Sequence, residues 1–225
     1  MLAMALAIAM AGGAGAQAPS ASGTPAPIAQ QTVSGQKVWL PRGWKVTARR
    51  SGDDQTILAH GGNAGPGAPV LGMITVAKPA GAPLRTWSNS IVRQLLEGQA
   101  TETRVIEETE LPNGLLQLHR IDGTATVGNI ATFAYIDPSR RGALVFLFFA
   151  AREDEFIAWN GAVLPLVAFG GIRAKAIDQL RPGPSARRNE SGPQGTIAEM
   201  NRLVRQQAVL KARGGWCVRG EAGCS

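Results

Sequence analysis

Histidine, cysteine and tyrosine are scarce in this sequence: its 225 residues include two His, two Cys and one Tyr. Two imidazoles leave little from which to assemble general acid–base or metal chemistry. The two cysteines, Cys217 and Cys224, lie together in the closing stretch WCVRGEAGCS, at a separation that matches neither a metal motif nor a redox motif. There is no G-x-S-x-G turn, which excludes the hydrolases that announce themselves by that nucleophile elbow. The glycine-rich loop from Gly61 to Pro69 lacks both the Lys-Ser/Thr of a P-loop and the G-x-G-x-x-G order of a dinucleotide site. Apolar runs are short as well. The first is about ten residues long and the other is broken by Arg152-Glu153-Asp154-Glu155, whereas a spanning helix needs ~20.

What is present begins with an apolar segment, Met1 to Ala11, followed by small residues and Ala16-Gln17-Ala18. This is the h-region and A-x-A cleavage pattern of a signal peptide over 1–18, although no Lys or Arg precedes it, which leaves an upstream start open. Residues 19–35 are rich in Pro, Ala and Ser and read as a disordered tether. Export implies a periplasmic or secreted protein, and in an oxidising compartment Cys217 and Cys224 most simply close one short disulfide loop.

Hydrophobic content of 44% is ample for a core. Its centre is the run Ala143 to Ala151, which has no polar side chain and therefore reads as a strand buried on both faces. Acidic residues at 153–155 suit the start of a helix, in which Phe156, Trp159, Val163 and Leu166 or Val167 share a face, with Pro165 kinking or restarting it. Upstream, strands are expected over 37–40, 44–49, 56–60, 70–77, 104–111, 115–121 and 124–135, with an irregularity at Gly128. A helix is expected over 86–97. Pro112-Asn113-Gly114 is a hairpin turn, and short turns between successive strands make the sheet antiparallel. Two one-faced helices and a doubly buried strand are reconciled by an α+β fold in which helices cover both faces of an antiparallel sheet, an α/β/α sandwich over 36–173.

The run Leu40-Pro41-Arg42-Gly43-Trp44, an early hairpin, one helix, a meander and a final apolar strand feeding a helix resemble the PsbP-like superfamily. The superfamily is named for an extrinsic subunit of photosystem II. The resemblance spans 36–173 and implies a sandwich that acts as an accessory, binding or chaperone-like protein, often exported. It carries no ligand and no functional residue onto this chain.

Charge is distributed unevenly. Residues 172–225 hold ten basic and four acidic side chains, a balance of +6, while the remainder holds thirteen against twelve, or +1. Residues 174–195 read as a linker. Thr196-Ile197-Ala198-Glu199 then opens a basic amphipathic helix within 196–225. Its apolar face collects Ile197, Met200, Leu203 and Val204, with Arg202, Arg205 and Arg213 opposite and Lys211 snorkelling from the apolar side. Such a helix followed by Trp216 suits docking on its own sheet or a sister subunit, and it also has the apolar stripe, cationic face and interfacial Trp needed for contact with an anionic membrane surface or acidic partner. Export argues against nucleic acid.

These features point to a non-catalytic, exported binding or accessory protein without a cofactor or metal, its tail contact carried by Arg202, Arg205, Lys211, Arg213 and Trp216. The alternative is a small-ligand pocket between sheet and helix, near Trp87 and Trp159 with His60 or His119 in its wall, hosting a hidden hydrolase or transferase activity. His60 and His119 also read as ordinary polar strand positions, Glu108 and Glu110 as one solvated strand face, and the tryptophans as core.

Overall fold

The computed structural model describes residues 26–61, 68–77, 83–97, 102–123 and 127–170. β1 (Ile28–Val33) and β2 (Gln36–Pro41) form a separate antiparallel hairpin. The turn Pro41-Arg42-Gly43, with Gly43 at φ 83° and Trp44 N–H donating to the Pro41 carbonyl at 3.3 Å, then carries the chain into the main sheet. That sheet contains β3 (Lys45–Ser51), β4 (Asp54–His60), β5 (Val70–Val76), β6 (Glu102–Leu111), β7 (Gly114–Asp122), β8 (Val127–Asp137) and β9 (Ala143–Arg152). Its order is β3-β4-β5-β9-β8-β7-β6, antiparallel throughout.

β9 is fourth of the seven strands because it alone carries an uninterrupted run of large apolar side chains on both faces. Val145, Leu147, Phe149 and Ala151 enter one buried cluster, and Leu144, Phe146 and Phe148 enter the other. α1 (Leu84–Leu95) packs across β7 and β8 on the second face, bringing Trp87, Val92 and Leu95 into its cluster. Trp87 meets the Phe146 ring edge-on at 5.7 Å. The first face is covered by the β1–β2 hairpin and by α2 (Glu153–Ala158) and α3 (Leu164–Ala168). There Trp44 lies against Phe149 and edge-on to Trp159.

Several expectations change. The tether proposed for 19–35 overlaps a strand, since 28–33 pair in register with 36–41. Composition hid it: IAQQTV has too little apolar character to mark a strand, and it becomes one by pairing with β2. The helix expected after residue 155 is two short pieces, broken where Asn160 adopts φ 49°. A Cβ on Gly161 would stand 2.5 Å from the Phe156 ring, so only glycine lets the chain turn so closely. Gly128 is paired without irregularity; the register shift falls between Val105 and Glu107. Gly128 instead permits close approach, because a Cβ there would lie 2.3 Å from the Ala151 carbonyl oxygen. The signal peptide, the linker, the tail helix with its five contact residues and the Cys217–Cys224 loop lie outside the described residues.

Phe146→Ala should lower unfolding free energy by ~3–5 kcal/mol, the usual cost of an excavated aromatic core position. Gly128→Ala should cost ~1–3 kcal/mol because the obstacle is backbone and cannot rotate away. Urea denaturation followed by tryptophan fluorescence measures both.

Candidate functional site beneath helix α1

Polar side chains that the strand pattern places on the α1 face of β6 and β7 converge under the first turns of that helix. Gln117 is buried in mid β7, and its amide is used in three directions. It accepts from Ser88 Oγ at 2.7 Å and donates to Asn89 Oδ1 at 3.1 Å and to Glu108 Oε2 at 2.8 Å. Ser88 and Asn89 belong to α1 and Glu108 to β6, so one amide ties three elements together. At the rim Arg85 bonds Glu108 and lies 2.7 Å from Glu110.

The register explains the convergence. Glu108 pairs with Gln117 and Glu110 with Leu115, which sets both carboxylates on the α1 side, while Glu107 pairs with Leu118 and is turned to the other face. The bulge at Ile106 produces this phase. Glu108 is therefore not the solvated residue expected of its strand position: its side chain is 23% exposed. Burial pushes its carboxyl up, but the hydrogen bond from Gln117 and the Arg85 guanidinium outweigh this, so the net pKa is lowered.

His119, two residues further along β7, is 2% exposed, and its Nε2 has no hydrogen-bond partner. Burial lowers its pKa from 6.5 to about 4, against the opposing pull of Glu108. At neutral pH it is an uncharged ring in an apolar setting. The Thr132 hydroxyl, on the neighbouring strand, is likewise buried and unpartnered.

The four residues expected to share a pocket do not share one. Trp87 belongs to the α1-side cluster and Trp159 to the opposite one, so the sheet separates them. His60, whose Nδ1 is buried without a partner, is on β4. β5, β9 and β8 intervene between it and the β7 residue His119, which sets the imidazoles roughly 19 Å apart at the usual ~4.8 Å strand spacing. Sequence reasoning missed the Ser88–Gln117–Glu108 network. A Gln among leucines in LLQLHR was the available signal, since a polar residue within such a strand must find partners. Among the described residues no group of three or more His, Cys, Asp or Glu side chains could hold a metal ion, and no helix is long and apolar enough to cross a membrane.

No family model and no curated protein matches this chain. Among solved structures, PA94 from Pseudomonas aeruginosa, a protein of unknown function, aligns with TM-score 0.35 and 14% identity, covering 63% of this chain and 96% of that one.

Gln117→Leu should destabilise the protein by ~1–3 kcal/mol by stranding the buried Ser88 hydroxyl, and Ser88→Ala in the same chain should recover part of that loss. A double-mutant cycle in denaturant reads the coupling. The pH response has a defined sign. Because the folded pKa of His119 is depressed, the unfolded chain binds more protons between about pH 6.5 and 4, and stability is lost as pH falls through that window. The loss is on the order of 3 kcal/mol, and Glu108 adds to it at the acid end. Thermal melts of His119→Leu should show that part of the pH dependence flattened.

Proposed function

We propose that this chain is an exported, non-catalytic binding or accessory protein. Its core is an α/β/α sandwich of PsbP-like architecture, and its basic C-terminal tail contacts an acidic partner or an anionic membrane surface in the periplasm or outside the cell. The observation that carries the reading is the segregation of charge, +6 over residues 172–225 against +1 over the rest. Long-range attraction to an anionic surface is a property of such summed charge. The core geometry agrees with a supporting role. Ser88, Asn89, Gln117 and Glu108 are spent on one another beneath α1, Gln117 filling three of its bonding positions to fasten helix to sheet.

All described helices and strands end before residue 171. Deleting 174–225 should therefore preserve the circular dichroism spectrum and cooperative melting of the core while abolishing co-sedimentation with anionic vesicles or acidic envelope proteins. The full chain should release those partners as salt rises from low to moderate concentration, because screening shortens the reach of the tail's field. Undiminished association after the deletion would overturn the proposal.

A further inference from the structure

One end of the sheet carries a groove that the fold assembles from segments distant in sequence. The β1–β2 turn, the β3–β4 turn, the end of β5 and the β8–β9 turn meet there around a volume of about 610 Å³. Three arginines line it, Arg50, Arg140 and Arg141, together with the Asp53 carboxylate, and the Asp137 carboxylate stands behind Arg140 at 3.4 Å. With the Asp137 carboxylate that pairs with Arg140 counted, the balance is three positive to two negative.

Arg140 is positioned without being saturated. Its guanidinium reaches Thr75 Oγ1 at 3.3 Å, Gln36 Oε1 at 3.4 Å and the Asp137 carboxylate at 3.4 Å, all at the long end of useful contact. Arg50 donates through Nε to the Gly52 carbonyl at 3.3 Å. The Arg141 side chain makes no hydrogen bond or ion pair among the described residues. Its backbone is left-handed, φ 56° and ψ 29°, immediately before Gly142 at φ 75°. Glycine or asparagine fits that conformation at less cost than an arginine does. A left-handed backbone that presents a guanidinium with no partner among the described residues, in a groove lined by three arginines, is the kind of outlier found where a ligand is gripped.

The geometry points to a phosphate-binding site in this groove, taking a phosphate group carried by a small soluble ligand or presented by a lipid headgroup. A single arginine can satisfy a planar carboxylate in bidentate fashion. Guanidinium donors from three separate positions, with the Thr75 hydroxyl beside them, suit a tetrahedral anion that accepts from several directions, while the Ser139 hydroxyl is already given to the Asp137 carboxylate at 2.6 Å. Every lining residue named falls between Ser34 and Ala143, outside the basic tail, so the site and the tail's own contacts are tested separately.

Calorimetric titration of the full chain with inorganic phosphate at low ionic strength tests it. Saturable binding is expected. Arg141→Gly should weaken that binding about tenfold, the loss of one charge-assisted contact, while the thermal midpoint holds or rises because the left-handed strain is relieved. Asp53→Asn should tighten it. Replacing Arg202, Arg205 and Lys211 together by Gln should leave it unchanged. In that last variant, retained capture of vesicles containing phosphatidate identifies the lipid headgroup as the source. Phosphate binding without vesicle capture identifies a soluble ligand. Absence of saturable phosphate binding, or binding that follows the tail substitutions and ignores Arg141→Gly, overturns the proposal.

Discussion

Burial of β9 on both faces is the constraint from which the other elements take their places. Phe146 and Phe149 are fully buried on opposite sides of one strand, so neither side of the sheet can face water at its middle. One side is closed by α1 and the other by the hairpin with α2 and α3. Because β9 must be central, β5 and β8 flank it, and the less apolar strands β3 and β6 fall to the edges. The edges are guarded in the usual manner. β3 carries Lys45, Arg49 and Arg50, and β6 carries Glu102, Arg104 and a register shift, features that discourage pairing with another chain.

Where the apolar layers thin out, polar contacts take over the attachment of α1. The helix begins without a side-chain cap at Pro83. Its first turns are held from below, through Ser88 and Asn89 on Gln117 and through Arg85 on Glu108 and Glu110. An arrangement of this kind contributes modest net stability per bond but a large penalty for any member left alone, which makes it a device for fixing where the helix sits. His119 and Thr132 show the limit of that satisfaction, with buried polar atoms left unpartnered on the same face.

Local chemistry made much of the architecture legible. The uninterrupted run at Ala143 to Ala151, the turn at Pro112-Asn113 and the period of α1 each have one physical reading, and the backbone follows it. Weak segments were not legible. IAQQTV has no strand signature strong enough to outweigh its Pro- and Ala-rich surroundings, and its extended state depends on β2 alongside. The break at Asn160 was likewise hidden, because the apolar spacing continues unchanged through the interruption and every large side chain still reaches the same cluster.

From the residues themselves came the period of each element, the antiparallel sense of the sheet and the concentration of positive charge beyond residue 171, since all are properties of neighbours along the chain. Tertiary structure alone decided that Trp87 and Trp159 lie on opposite faces, that Glu108 turns beneath α1 and that Arg50 and Arg140 share a groove. Those pairings join positions up to ninety places apart or turn on a one-residue bulge. No local preference encodes such a meeting: it is settled when the strands find their register.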